Sequence, residues 1–129
     1  MSPGYSSGVN RLGELERAIM DVLWEASDPL TVRQVSGLLT ERDLAHTTVM
    51  TVLDRLAKKG FARRERDGRA WRYHAAESRE AYVTELMLNA LDQTGDRQAA
   101  LVRFARSVSG SEAAALRRAL EALGEGTGG

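Results

Sequence analysis

The sequence predicts a mostly helical α+β fold built in two parts. Three segments carry apolar residues at helical spacing, and they precede a segment in which apolar and charged residues alternate. An Asp67-Gly68 pair at the centre of that alternating segment favours a tight β-hairpin turn. Helical spacing then returns and continues almost to the end of the chain. We therefore expect three helices and a β-hairpin, followed by a helical region.

The predicted boundaries divide the 129 residues into four segments. Residues 1–10, rich in Ser and Gly, are expected to form a flexible arm, and residues 125–129 a flexible tail. Residues 11–77 hold the three helices and the hairpin, and residues 78–124 hold the remaining helices. Both parts are small for independent domains, so burial of apolar surface against a second copy would stabilise them.

The first two helices are predicted from apolar periodicity and turn signals. The first begins near Leu12 and ends at the breaker Ser27-Asp28-Pro29. Its inward positions are expected to be Leu15, Ile19, Val22 and Leu23. Thr31 is then a suitable N-cap for a short second helix. The inward positions of this second helix are expected to be Val32, Val35, Leu38 and Leu39.

A third helix is predicted from His46 to Lys59, with Gly60 at the position of a C-cap glycine. Its apolar face consists of Val49, Val52, Leu53 and Leu56. Its opposite face carries Thr47, Thr48, Met50, Thr51, Asp54 and Arg55. In the hairpin that follows, Trp71 and Tyr73 lie two residues apart, so both side chains should point to one face. We expect both of them to pack on the helices.

The C-terminal part again shows helical spacing. Asp96 and Ser111 are expected to cap its second and third helices. The apolar positions of the three helices include Tyr82, Leu86, Leu91, Leu101, Phe104, Leu116, Leu120 and Leu123. Helices this short and this apolar are not stable alone in water. They need a partner, which is either the N-terminal part or a second chain.

The composition excludes several functional classes. The chain has no Cys and only two His residues, His46 and His74, so disulfides, Cys-ligated metals and a thiol nucleophile are excluded. It has no glycine-rich phosphate loop and no carboxylates at metal-ligand spacing, so we expect neither an enzyme nor a cofactor. No run approaches the roughly 18 apolar residues of a membrane helix, and the N terminus does not resemble a signal peptide. These features predict a soluble, cytoplasmic protein.

The formal net charge is zero, but one segment is strongly basic. Between residues 55 and 72 only two acids, Glu65 and Asp67, oppose eight basic residues. The eight are Arg55, Lys58, Lys59, Arg63, Arg64, Arg66, Arg69 and Arg72. Phosphate groups attract such clusters through charge and counterion release, and Arg adds bidentate geometry. The alternative is a solvated hairpin, but its position directly after the third helix favours contact with nucleic acid.

The third helix carries the candidates for reading bases. Thr47, Thr48 and Thr51 have small hydroxyl side chains that approach phosphates or base edges closely. The alternative for Thr47 and Thr48 is that they only cap or space the first turn. Met50 either contacts a base edge or fills the core, and His46 either reaches a phosphate or ends the preceding loop.

Three stretches carry a family resemblance. The first is Leu12-Gly13-Glu14-Leu15-Glu16 with Met20, Leu23 and Trp24. The second is Leu30-Thr31-Val32-Arg33-Gln34-Val35, and the third is TTVMTVLDRLAKKG, which ends at Gly60. With Arg72-Tyr73 of the hairpin, they resemble the penicillinase-repressor family of the BlaI, MecI and CopY type. The similarity covers nearly the whole chain apart from its two tails.

The resemblance implies a cytoplasmic repressor with a winged helix-turn-helix domain and a helical dimerisation domain. Such a homodimer binds a palindromic operator in double-stranded DNA, here of β-lactam-resistance or related stress genes. It inserts the third helix into the major groove and places the hairpin, called the wing, on the backbone. The expected DNA-contacting residues are Arg33, His46, Thr47, Thr48, Met50, Thr51, Arg55, Lys58, Arg63, Arg64, Arg66, Arg69 and Arg72. The expected dimerisation residues are Tyr82, Leu86, Leu91, Leu101, Phe104, Leu116, Leu120 and Leu123.

Two departures limit what the resemblance implies. Copper-responsive members carry a C-terminal cluster of cysteines, and this chain has none, so copper sensing of that kind is excluded. Antibiotic-responsive members are inactivated when a membrane metalloprotease sensor, of the BlaR and MecR type, leads to cleavage of an Asn-Phe bond in the dimerisation domain. The corresponding pair here is Arg103-Phe104, so a proteolytic switch would need a different sequence specificity.

Two other classes of binding protein remain open. A ligand-sensing winged-helix regulator of another family would need a pocket, and the apolar positions look just sufficient for helix packing and a dimer interface. A protein-interaction module would instead use the basic hairpin to bind an acidic partner protein. Salt-dependent, sequence-selective binding to duplex DNA separates the repressor from the protein-interaction module, which should bind duplex weakly and without operator preference.

Overall fold

A computed structural model describes residues 12–127, so the predicted arm, 1–10, and the last two residues of the predicted tail lie outside the described residues. The mostly helical α+β class is confirmed. The elements in chain order are α1 (Glu14–Glu25), β1 (Leu30–Thr31), α2 (Val32–Leu38), α3 (His46–Lys59), β2 (Ala62–Asp67), β3 (Ala70–Ala75), α4 (Arg79–Leu91), α5 (Arg97–Ser107) and α6 (Gly110–Thr127). The chain divides into two compact units, Met1–Asn89 and Ala90–Gly129.

The core of the first unit lies among α1, α2 and α3. Its fully buried side chains include Ile19, Val35, Val49, Leu53 and Leu56. Each such side chain stabilises the fold by about 1.5–3 kcal/mol relative to an exposed position. Three helices that share one apolar core form the scaffold on which α3 presents its other face.

The short helix α2 follows the predicted cap but differs in one inward position. Thr31 is confirmed as its N-cap, because the Thr31 hydroxyl accepts a hydrogen bond from the Gln34 N–H at 3.2 Å. Leu38 was expected to point inward and is instead 60% exposed. The helix ends at Leu38 after seven residues, and the buried Leu39 takes the inward position just beyond it. Of these two adjacent leucines, both expected inward, only Leu39 is buried.

The next helix, α3, ends as predicted. Gly60 adopts a left-handed conformation with φ of 91°, which a residue with a Cβ rarely adopts. At the other end the N-cap is Ala45, which has no capping side chain. Thr47 and Thr48 therefore do not cap this helix.

The predicted hairpin is present, and a third strand extends it. Strands β2 and β3 pair antiparallel, and Gly68 has φ of 65° in the two-residue turn between them. The order of the sheet is β1-β3-β2, with Leu30 of β1 opposite Tyr73 of β3. The two-residue strand β1 was not predicted. It ties the hairpin to the start of α2.

The first half of α4 belongs to the first unit. Tyr82 is buried, its hydroxyl accepts a hydrogen bond from the Leu12 N–H at 2.9 Å, and its ring packs against Trp24 and Phe61. Its surface is already buried within its own chain, so little of it remains for a contact with a second copy. Leu86, one turn later, is half-buried against the same core. The division between the units accordingly falls at Asn89, twelve residues beyond the predicted boundary at 77.

The second unit contains the last residues of α4 and the whole of α5 and α6. Asp96 is confirmed as the cap of α5, because its carboxylate accepts a hydrogen bond from the Ala99 N–H. The predicted cap Ser111 is wrong. Ser109 caps α6 instead, accepting from the Glu112 N–H while the Glu112 carboxylate accepts from the Ser109 N–H. Helix α6 continues to Thr127, so residues 125–127 are helical rather than part of a tail. Among the described residues, no helix is long and apolar enough to cross a membrane.

One ion pair, between the buried carboxylate of Glu16 and the exposed side chain of Lys59, joins the start of α1 to the end of α3. The Glu16 carboxylate accepts hydrogen bonds from Lys59 Nζ and from the Gly13 N–H, each at 2.8 Å. Burial acts to raise the pKa of Glu16, but the hydrogen bonds from Lys59 and Gly13 outweigh it and hold the pKa below its usual value of 4.5. Glu16 therefore remains charged in the folded protein.

Replacing Glu16 with Gln should lower the free energy of unfolding by about 1–2 kcal/mol at neutral pH, because Lys59 loses its charged partner. A pKa that is lower in the folded state stabilises the fold above the unfolded value of 4.5, and this contribution disappears as the pH falls through the folded value. The difference between wild type and variant should therefore close in acid. Urea unfolding of both proteins from neutral to acid pH measures this difference. Glu14→Gln, a substitution at an exposed position, is the control. A difference that persisted at low pH would contradict this assignment.

Candidate nucleic-acid interface

Helix α3 is held by one face and exposed on the other. Its buried residues are Val49, Val52, Leu53 and Leu56, as predicted. The residues His46, Thr47, Met50, Thr51, Arg55 and Lys58 are exposed, and Thr48 is half-buried. Met50 is 40% exposed, so it does not fill the core. The face therefore offers hydroxyl, thioether and cationic side chains on a rigid helix.

The hairpin carries most of the remaining basic side chains. Arg63, Arg64, Arg66 and Arg69 are exposed, whereas Arg72 is half-buried. The Arg72 guanidinium donates to the Asp67 carboxylate at 2.5 Å and to the Gln34 side-chain oxygen at 3.5 Å. Gln34 belongs to the N-terminal capping box of α2. Arg72 therefore fixes the hairpin to α2 and is the least free of the predicted contacts.

A groove of about 540 Å³ separates the hairpin from α3 and the start of α2. It brings together four predicted DNA contacts, Arg33, His46, Met50 and Arg64. Its full lining is Thr31, Val32, Arg33, His46, Met50, Asp54, Arg64, Ala70, Trp71 and Tyr73. Lys58 and Arg63 are not in this groove and line a neighbouring cleft on the other side of Arg64. The predicted set therefore occupies two adjacent depressions of one surface.

Trp71 differs from its predicted position. Tyr73 packs in the core as expected, at 1% exposure, but Trp71 is 36% exposed. Its ring lies under two guanidinium groups, with Arg64 Cζ at 4.2 Å and Arg66 Cζ at 5.0 Å from the ring centroid. Trp71 lies beyond the end of the short strand β1 and lines the groove between the hairpin and α3. Its ring makes cation–π contacts with its neighbours on β2.

One charged residue of the groove, Asp54, was not among the predicted contacts. Asp54 Oδ1 accepts a hydrogen bond from the Tyr73 hydroxyl at 2.8 Å and from Arg64 Nη1 at 3.2 Å. Burial, together with the hydrogen bond to Asp54, raises the pKa of Tyr73, so the hydroxyl stays protonated and donates. The sequence did contain a signal for this residue. Asp54 is an acidic residue on the exposed face of a helix in which the other charged residues are basic.

Comparisons with known proteins show the family to which the chain belongs. The family model described as penicillinase repressor matches residues 12–122. The chain belongs to the penicillinase-repressor family. A relative named transcriptional regulator BlaI, from two strains of Mycobacterium tuberculosis, is 54% identical over 93% of this chain and 90% of its own length. This member of the family is therefore a BlaI-type winged-helix transcriptional repressor and not an enzyme.

Solved structures similar to this family member are other regulators. One is a monomeric form of BlaI from Bacillus licheniformis in complex with the blaP half-operator, 26% identical over 56% of this chain and 88% of that one, with a TM-score of 0.47. Another is a MarR family protein from Bacillus stearothermophilus, 22% identical over 92% of this chain and 76% of that one, also with a TM-score of 0.47. Within residues 12–127, no group of three His, Asp or Glu side chains is placed to hold a metal ion.

Proposed function

We propose that this repressor binds a palindromic operator as a homodimer, with α3 in the major groove and the hairpin on the DNA backbone. The convergence of the polar face of α3 and the basic hairpin on one groove carries the proposal. A helix fits the major groove of B-DNA, where every base pair presents a distinct pattern of donors and acceptors. In this proposal, α3 is the reading element, and the basic side chains around it form the positioning element.

The reading element is the N-terminal half of α3. Thr47 and Thr51 are exposed one helical turn apart, and Met50 lies beside them. Threonine hydroxyls bond to base edges, and the methyl groups of Thr contact the thymine methyl. Since neither Thr47 nor Thr48 caps the helix, both side chains are available for contact with DNA.

The positioning element consists of basic side chains around that helix. Arg33, His46 and Arg64 line the groove between α3 and the hairpin, while Lys58 and Arg63 line the neighbouring cleft. Contacts of this kind bind phosphate oxygens and set the register of the domain, but they read little sequence. Arg66 and Arg69 extend the same basic surface toward the hairpin turn.

The dimer interface of the proposal lies in the second unit. Leu101, Phe104, Leu116 and Leu120 are all exposed in the single chain. Among described residues 90–124 none is buried, so this unit lacks a core of its own. A second copy would supply the missing apolar contacts. A two-fold dimer then places two α3 helices a whole number of helical turns apart, which matches a palindrome.

In this proposal, the repressor leaves the operator when the dimer dissociates. Linking two DNA-binding units raises the effective concentration of the second, so separated units lose this avidity. We include cleavage near Arg103 and Phe104 in the proposal, carried out in response to a membrane metalloprotease sensor. Both residues lie within α5, which must unwind before a protease can accept them.

The experiment that tests the proposal is selection of binding sites from a random duplex library with the purified chain. The expected product is a short palindrome occupied by two chains, as measured by native mass of one bound fragment. No sequence preference over bulk DNA would overturn the repressor function and favour an acidic protein partner for the hairpin.

Two single substitutions should separate reading from positioning. Thr51→Ala should weaken binding to the selected operator by about 1–3 kcal/mol and leave binding to random duplex unchanged. Arg63→Gln should weaken binding to both and make the salt slope shallower by about 0.9 per half-site. Fluorescence anisotropy over a salt series measures both effects. Equal losses on both duplexes for Thr51→Ala would assign that side chain to positioning.

A charged side chain in the dimer interface should produce monomers. Leu120, at 67% exposure, should be replaced with Glu, and Leu38, at 60% exposure in the first unit, provides the matched control. Analytical ultracentrifugation at micromolar concentration should show a monomer for Leu120→Glu and a dimer for Leu38→Glu. A dimer that persists in Leu120→Glu would place the interface elsewhere.

A further inference from the structure

Asp54 is a carboxylate inside a groove that is otherwise basic. Among the residues that line this groove, three carry basic groups and Asp54 alone is acidic. Its side chain is 43% exposed, so it faces the solvent that DNA would displace. A negative charge at this position repels phosphate and weakens DNA binding unless it has another task.

The contacts of Asp54 resemble those of a bound phosphate oxygen. One oxygen, Oδ1, accepts a hydrogen bond from the Arg64 guanidinium and from the Tyr73 hydroxyl. Arginine and tyrosine are both side chains that bind backbone phosphates in protein–DNA complexes. The carboxylate therefore occupies Arg64, one of the donors that the proposed function assigns to DNA phosphate.

The stack on Trp71 keeps Arg64 at this position. The Arg64 guanidinium lies 4.2 Å from the centroid of the Trp71 ring while its Nη1 bonds to Asp54. Cation–π contact and ion pair together restrict the side chain to one region of the groove. A phosphate that reaches Arg64 therefore meets an oriented guanidinium whose charge is already compensated.

We propose that Asp54 is an internal competitor for DNA phosphate, which occupies Arg64 in the free repressor and lowers its affinity for every duplex. The inference rests on the proposed function. Because the competition concerns phosphate and not bases, it weakens operator and non-specific DNA by the same factor. Asp54 thereby sets overall affinity and salt sensitivity rather than sequence preference.

The decisive variant is Asp54→Asn, which removes the charge and keeps an oxygen that accepts from Tyr73. Operator and random duplex should both bind about three- to tenfold more tightly per half-site, in the range expected for release of one exposed ion pair and its repulsion. The dependence of log K on log salt should become steeper by about 0.9 per half-site, because Arg64 now releases a counterion.

Asp21→Asn is the matched control. Asp21 has the same 43% exposure and also pairs with arginines, Arg17 at 3.1 Å and Arg79 at 3.4 Å, but it lies on α1 and does not line the groove. Its substitution makes the same change in net charge and should leave affinity and salt slope at wild-type values. Thermal unfolding establishes that both variants are folded, and Asp54→Ser repeats the test without an amide.

A double-mutant cycle locates the effect at Arg64. Arg64→Gln should weaken DNA binding more in the Asp54→Asn background than in the wild type, because only there is the guanidinium free of its carboxylate. Equal losses in both backgrounds would overturn the proposal. So would an Asp54→Asn variant that binds like Asp21→Asn, or one that changes affinity for the operator alone. If the wild type bound no duplex, the proposed function would fail and this inference with it.

Discussion

The position of the wing relative to α3 depends on Tyr73. This side chain lies in the central strand of the sheet, is buried in the core, and donates its hydroxyl hydrogen to Asp54 on α3. One aromatic residue thereby joins the apolar core, the hairpin and the exposed face of the helix. A wing fixed in this way holds its arginines at a set distance from α3. This distance matters because the contacts of the wing with the DNA backbone determine where α3 meets the base edges.

The basic segment is less positive in effect than its composition suggests. Three of its eight basic side chains have carboxylate partners, namely Lys59 with Glu16, Arg64 with Asp54, and Arg72 with Asp67. Each pair has a different consequence: the first stabilises the core, the second limits phosphate binding in our proposal, and the third fixes the hairpin. The residues without a carboxylate at salt-bridge distance, such as Arg63 and Arg69, then provide the larger share of attraction to DNA. A neutral chain can in this way confine a positive surface to one face.

Helix caps and turns could be predicted from the sequence, whereas contacts between segments distant in the chain could not. The Thr31 cap, the Gly60 terminus and a tight hairpin turn at Gly68 each depend on a few adjacent residues, and each was confirmed. Trp71 was misplaced for the opposite reason, since strand periodicity shows which residues share a face but not what covers that face. Asp54 was recognised as exposed, yet its role required the distances to Tyr73 and Arg64. Neither distance follows from sequence spacing.

The two units differ in how they are stabilised, and this difference bears on release. Met1–Asn89 contains the whole cluster of buried core residues, including Tyr82 of α4, so α4 is anchored in the DNA-binding unit. Described residues 90–124 include no buried side chain, and isolated helices of this length are marginal in water. In the proposed dimer, dissociation would therefore remove the contacts that keep α5 helical, while the first unit stays folded. Loss of the partner and access of a protease to Arg103 and Phe104 then favour each other, because each depends on the same unfolding of the second unit.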